Sequence, residues 1–189
     1  MLNKKLLAYI AGVAIGDGNL SNPNGRATRL RITCDKKYEN IIEEIVASIK
    51  TLLPNNRVSL IKRSDNCLDI SCYSNKWEKW LGWQADGGSK MKQNISIPLW
   101  IKHNKNYATR CLKGLMQTDG SIYTDRKYKM VNFVTAIPRL AAEVKETITQ
   151  LGFPCHLYVF ENKNSQTKYT VRVSKKTENF INLIGLYKN

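Results

Sequence analysis

The sequence predicts an α+β protein of two similar halves, each running helix, two strands, helix, two strands, helix. Three observations carry this. First, an apolar, helix-length run ending in Asp-Gly, Leu7 to Gly18, is echoed at Cys111 to Gly120. Asp17 and Asp119 stand 102 residues apart in a chain of 189, and a period near half the chain marks an internal duplication. Second, segments with helical apolar spacing alternate with segments in which every second residue is apolar. Third, the order of these segments repeats after the echo.

In the first half, Lys4 to Gly16 reads as a helix, and Asn19 to Gly25 as a strand end and turn, rich in Asn, Ser, Pro and Gly. Arg29 to Cys34 alternates strictly: Leu30, Ile32 and Cys34 point inward, and Arg29, Arg31 and Thr33 outward. Lys37 to Leu53 is an amphipathic helix closed by Pro54. Val58 to Arg63 and Leu68 to Tyr73 form a hairpin around Ser64-Asp65-Asn66. In its second strand Leu68, Ile70 and Cys72 face in, and Asp69, Ser71 and Tyr73 face out. Ser74 can cap a third helix whose Trp77, Trp80 and Leu81 make a stripe read as core or half-to-half packing rather than as a base-stacking platform. The first half is residues 1–86.

Gln84 to Asn106 breaks the pattern with Gly87, Gly88, Pro98 and several lysines, and residues 87–106 read as the linker. The second half is 107–189. It holds a helix over Tyr107 to Thr118, strands at Ser121 to Tyr123 and Lys129 to Thr135, and a helix from Pro138 to Leu151. A hairpin of His156 to Phe160 and Tyr169 to Val173 follows, then a last helix from Ser174 to Leu186. Pro54 and Pro154, Ser74 and Ser174, Lys76 and Lys176, and Glu78 and Glu178 all repeat at an offset of 100. The strand phase does not: Tyr169, Val171 and Val173 face in where Leu68, Ile70 and Cys72 do. A one-residue slip or bulge between the halves is expected.

Composition narrows the partners. Thirty Lys and Arg stand against 15 acids, a net charge of +15, which points to a polyanion: nucleic acid first, an acidic membrane surface second. No apolar run is long enough to span a bilayer, and the N-terminal run ends in Gly-Asp-Gly rather than at a signal-peptide cleavage site. Five cysteines, Cys34, Cys67, Cys72, Cys111 and Cys155, form no C-x-x-C pair. His103 and His156 add no zinc spacing. Reduced thiols in an intracellular protein, cytoplasmic or organellar, are expected.

The duplicated stretch carries the chemistry. Ala8, Gly12 and Gly16 fall at i, i+4, i+8 on one helix face. In the echo that face is Arg110, Gly114 and Thr118, small at its last two positions. Small residues let two helix backbones approach closely, so Ala8, Gly12, Gly16, Gly114 and Thr118 are the expected helix interface. Side by side and parallel, the two helices would bring Asp17 and Asp119 together at their negative poles. A divalent cation removes the penalty of that arrangement, and carboxylates with water and phosphate oxygens suit Mg²⁺. Gly18 and Gly120 fit left-handed helix caps.

Ile10 to Gly18 and Leu112 to Gly120 resemble the motif of the LAGLIDADG homing endonucleases, whose single-chain members carry it twice about a hundred residues apart. The resemblance covers nearly the whole chain. The motif's earlier acidic position is Ile15 here and Gln117 in the echo, whereas the last acid is present in both. The family implies a metal-dependent, site-specific endonuclease, intron-encoded and acting in intron homing, that makes a double-strand break in duplex DNA. It implies two antiparallel sheets forming a DNA-binding saddle around the paired helices, a monomer, and a recognition site of about 20 base pairs. No membrane or small-molecule substrate is implied. The implied metal residues are Asp17 and Asp119 with their preceding neighbours Gly16 and Thr118. Mg²⁺ is the expected ion, with Mn²⁺ able to substitute and Ca²⁺ bound without cleavage.

Family members often place a catalytic lysine in a Gly-Lys-rich segment before Ile-Pro. Here that segment runs from Gly87 to Pro98, so Lys90 is the first candidate and Lys92 the second, with Lys188 a candidate for the other half. The polar residue that some members carry at the end of the second strand is replaced by Thr33-Cys34-Asp35 and Thr135-Ala136. The saddle candidates are Arg29, Arg31, Thr33, Ser71, Tyr73, Lys168, Thr170 and Arg172, types that read base edges or hold phosphates. The alternatives are an RNA intron maturase or a non-cleaving DNA-binding protein of the same fold. Both aspartates favour the nuclease.

Overall fold

The computed structural model describes residues 2–162 and 165–187; Lys188 lies outside them. The first half holds α1 (Lys4–Asp17), β1 (Gly18–Ser21), β2 (Arg29–Asp35), α2 (Glu39–Leu52), β3 (Val58–Lys62), β4 (Cys67–Tyr73) and the short α3 (Trp77–Leu81). A single turn of helix, α4 (Leu99–Lys102), precedes the second half. That half holds α5 (Lys105–Thr118), β5 (Gly120–Asp125), β6 (Tyr128–Thr135), α6 (Pro138–Gln150), β7 (Cys155–Asn162), β8 (Ser165–Val173) and α7 (Thr177–Ile184). The strands form two antiparallel sheets of identical topology, β1-β2-β4-β3 and β5-β6-β8-β7. Among the described residues, no helix is long and apolar enough to cross a membrane.

Each motif helix starts on an asparagine. Asn3 accepts from the Leu6 N–H, and Asn104 from those of Asn106 and Tyr107, supplying acceptors for otherwise orphaned amide donors. From Leu7 to Ile15 every residue of α1 is buried. A helix apolar on all sides belongs in a core, and α1 packs against α5, α2 and its own sheet. The other helices bury one face each, through Ile45 and Ile49 on α2 and Val144 and Ile148 on α6. Trp77 is fully buried and donates its indole N–H to the Cys72 carbonyl at 3.0 Å, as a core stripe requires.

Three expectations need correction. Gly18 is extended (φ −81°, ψ 154°), and the residue closing α5 is Asp119 at φ −90°, so neither motif helix ends in a left-handed glycine. The left-handed caps are Gly82 on α3 and Gly185 on α7. Gly18 and Gly120 are needed for space: a Cβ would stand 2.6 Å from Ala14 Cα or 2.7 Å from Met116 Cα. Second, Ser74 does not cap α3. Its hydroxyl accepts from Lys76 N at 3.2 Å, one turn early, and the helix starts at Trp77 without a side-chain cap. Third, Asp69 and Ser71 are only 8% and 5% exposed. They lie on the saddle face, but β4 is a central strand and its neighbours cover them.

The register also shows the expected one-residue slip between the halves and gives its place. Gly18 pairs with Ile32, whereas Gly120 pairs with Phe133, so the second copy is one residue shorter between motif and second strand. From there the halves correspond at an offset of 101, with Ile32 paired to Ile70 and Phe133 to Val171. That offset puts Leu68, Ile70 and Cys72 in phase with Tyr169, Val171 and Val173 without any bulge in the central strands. The offset of 100 at Ser74 and Ser174 is coincidental: their amides donate to Thr28 and Pro154, at different strands. The lost residue comes from the hairpin between β5 and β6, a two-residue turn with Arg126 and Lys127 both at positive φ. Its counterpart is the long 22–28 connection.

Candidate metal and nucleic-acid site at the paired helix ends

The close approach of α1 and α5 follows from their glycines. A Cβ on Gly114 would lie 2.5 Å from the Tyr9 carbonyl oxygen and 2.6 Å from Val13 N, and one on Gly12 would strike the Cys111 carbonyl. One turn further on, a Cβ on Gly16 would strike the Thr118 hydroxyl and lie 3.2 Å from Asp119 Oδ2. Contacts advance in the same direction along both helices, so they run parallel. The seam on α5 is Cys111, Gly114 and Thr118 rather than the Arg110 face; Arg110 is exposed. Ala8 is fully buried. Thr118 turns its hydroxyl onto the Gly114 and Leu115 carbonyls of its own helix.

This packing delivers Asp17 and Asp119 to one end of the helix pair, as expected. It also brings in Lys90. The Lys90 ammonium donates to the Ile15 carbonyl at 2.7 Å and the Gly16 carbonyl at 2.5 Å, placing positive charge on the negative pole of α1. Burial pushes its pKa down to about 8, against the opposing pull of Asp119 and Asp17. Lys92, in the same turn, is exposed. The turn itself is stapled by Gln93, whose amide bonds Gln84 on both backbone atoms and also the Gly88 carbonyl. Nothing in the spacing marked Gln93, a surface-type residue in a polar segment.

A cleft of about 630 Å³ opens at this end, lined by Gly16, Asn19, Lys90, Asp119, Val134 and Lys168 among others. Asn19 belongs to the first sheet, and Val134 and Lys168 to the second, so both outward sheet faces open on it. Arg29, Arg31 and Thr33 lie half-buried on the first face. Arg29 donates to Ser21, and Thr33 donates to Asp69 at 2.7 Å. Tyr73 is exposed there. Lys168, Thr170 and Arg172 occupy the second face. Asn19 and Val134 went unread in the sequence; Asn19 was signalled only by following Asp-Gly directly.

A charged cluster on the flank of the helix pair was also missed. Lys113 is 5% exposed, and its ammonium meets Glu44 Oε1 at 2.5 Å. Gln117 and the Tyr187 hydroxyl donate to Glu44 Oε2. Glu44 belongs to α2 of the first half and the others to the second, so the motif positions that depart from apolar character tie the halves together. Burial opposes the Glu44 charge, but the bonds from Lys113 and Tyr187 outweigh it and hold its carboxyl below the usual range. Burial and then Glu44 push Tyr187 up to about 12.

Two carboxylates form the acidic donor set. Among the described residues there is no cluster of three or more His, Cys, Asp or Glu side chains that could hold a metal. A hard cation that retains water and accepts phosphate oxygens fits so sparse a set, whereas a tetrahedral zinc site does not.

Comparisons with known proteins agree with this geometry. A model of the LAGLIDADG-like domain matches residues 106–185, and one of the WhiA LAGLIDADG-like domain matches 6–68. A search of curated proteins found no significant match. Among solved structures, I-DmoI in complex with DNA and Mn superposes with a TM-score of 0.72 at 19% identity, covering 98% of this chain and 99% of that one. The N-terminal LAGLIDADG domain of DUF199/WhiA gives 0.66 at 14%, covering 98% and 84%. Full-length DUF199/WhiA from Thermatoga maritima gives 0.66 at 13%, covering 98% and 56%. The family models fall on the two halves and the structural match spans both: the chain belongs to the LAGLIDADG family, as a single polypeptide with two motif-bearing halves.

Proposed function

We propose that the protein is a site-specific DNA endonuclease that hydrolyses one phosphodiester in each strand of a long duplex site. The observation that carries this is the meeting of Asp17, Asp119 and Lys90 at the ends of two parallel helices, where Asp119 and Lys90 line a cleft shared by two basic sheet faces. The structural relative I-DmoI was crystallised with DNA and Mn, and in a variant with its target DNA and Mg, which supports a DNA partner and a divalent cation here.

Asp17 and Asp119 would hold the cation, with the backbone at Gly16 and Thr118 beside them, and Mg²⁺ fits this donor set. Such an ion, when bound, activates water and stabilises the leaving oxygen. The chain's own residues do the rest. Lys90 supplies positive charge next to both acids, where negative charge builds on the phosphate during displacement. Arg29, Arg31, Lys168 and Arg172 hold the duplex across the sheets and present donors to its groove. Because one chain supplies both halves, it acts as a monomer.

The test is cleavage of a randomised duplex pool with Mg²⁺ or EDTA, by wild type, Asp17→Asn and Asp119→Asn. Cutting of a discrete site by wild type with Mg²⁺ alone is expected, while both variants still bind that site. Site-specific binding without cutting in any metal would move the function to a non-cleaving DNA binder, a reading the WhiA match over residues 6–68 keeps in view. Unchanged cutting by either variant would overturn the two-acid site.

A further inference from the structure

The outward faces of the two sheets differ at equivalent positions. Register aligns three strands into a cross-strand row on each face. In the first half one row is Thr33, Asp69 and Ile61. Its counterpart, 101 residues on in both central strands, is Val134, Thr170 and Tyr158. The first row carries an acid already engaged by the Thr33 hydroxyl and lying 3.8 Å from Arg63. The second row carries no charge, and its Val134 and Tyr158 are 36% and 43% exposed. Phe160 extends the apolar strip at 57% exposure. Basic residues frame it on the same strand, Lys168 on one side of Thr170 and Arg172 on the other. Val134 and Lys168 line the cleft that holds Asp119.

Resting on the reading of duplex DNA as substrate, we infer that Val134, Thr170 and Tyr158, with Phe160, read thymine C5-methyl groups in the half-site beneath the second sheet. Among the four bases thymine alone presents a methyl in the major groove, and apolar side chains are what recognise it. A phosphate has no counter-charge in this row. Lys168 and Arg172 sit where they can take the flanking phosphates or a guanine edge, so the strand is held while the row meets methyls. Two of the row's three members are β-branched side chains, which fill space over a methyl and offer no ring on which an unpaired base could stack. In the first-half row Ile61 alone is apolar, at 50% exposure, and it stands beside Asp69, whose charge and polar partners Thr33 and Arg63 break any apolar strip. The two half-sites are therefore chemically unequal.

The experiment is selection of bound sequences from a randomised duplex library of about 20 base pairs in Ca²⁺, followed by resynthesis of the selected duplex with deoxyuridine replacing thymine in one half at a time. Deoxyuridine pairs as thymine does but lacks the methyl. Thymine enrichment confined to one half is expected. Deoxyuridine there should weaken binding about fourfold for each methyl in contact, with no change when the other half is substituted. A Val134→Ser, Tyr158→Ser variant should discriminate between the two versions less than wild type does and keep the wild-type salt dependence. Equal wild-type affinity for the two versions of an enriched site overturns the inference while leaving the duplex reading intact. Failure to enrich any duplex site overturns both together. Displacement of the duplex by an equal concentration of single strand would mark the strip as a platform for unpaired bases and overturn the methyl readout.

Discussion

At Gly114 a single methyl group is enough to separate the two motif helices. Its would-be Cβ meets backbone on the opposite helix, at the Tyr9 carbonyl and the Val13 amide, and backbone cannot rotate away as a side chain can. Gly114→Ala should therefore destabilise the fold by about 3 kcal/mol, the upper end for overpacking, read from the midpoint of urea denaturation. A loss below about 1 kcal/mol would mean that the helices can part without consequence. Gly16 is different in kind. Its neighbours are the Thr118 side chain and the Asp119 carboxylate, so the space it keeps open belongs to the site rather than to the core.

At the scale of elements, the halves diverge where their turns do. The β5 to β6 hairpin is closed by Arg126 and Lys127 at φ 45° and 73°, a geometry that suits the right-handed twist of paired strands but strains side chains with a Cβ. Replacing the pair by Asn-Gly should raise stability by about 1 kcal/mol, measured as a rise in thermal midpoint. An unchanged or lower midpoint would show that the turn is held by contacts of those side chains. The tie between α2 and α5 makes a prediction about pH. Glu44 has its carboxyl held below the ordinary value, so its contribution is complete above the unfolded carboxylate pKa. It fades as pH falls through the lower folded value. Glu44→Gln should be less stable than wild type near neutrality, with a shallower loss in acid. Urea midpoints across the acidic range measure this, and parallel curves for the two proteins would remove Glu44 from the account.

For the whole molecule the governing quantity is charge. With +15 on 189 residues, and basic side chains on the faces that share the cleft, binding to duplex DNA should release many counterions. Neutralising roughly six or more phosphates implies a fall in affinity on the order of a thousandfold between about 50 and about 200 mM salt. Fluorescence anisotropy on any duplex long enough to fill both sheets tests it. A weak dependence on salt would mean that the charge is spent on solubility and not on a partner.

The motif helices, the element order and the two acids were legible because each is written in local sequence: periodicity, a repeated Asp-Gly, small residues at one spacing. Lys90 was legible only through the resemblance, and the structure shows why. Its position depends on a turn held by Gln93 and on the Ile15 and Gly16 carbonyls at the end of α1, which lie 75 and 74 residues from it in the chain. The exposure of strand residues was misread at Asp69 and Ser71, because alternation tells which face a residue takes but not whether its strand is central. The glycines after the acids were read as left-handed caps, since Asp-Gly after a helix looks the same in sequence whether the glycine is needed for its φ or for its missing Cβ. By itself the sequence determined the duplication, the apolar faces and the chemistry available at Asp17 and Asp119. Tertiary structure decided which lysine joins them, where the repeat loses a residue, and how Glu44 bridges the halves. Those outcomes depend on distances between segments remote in the chain, and periodicity carries no information about such distances.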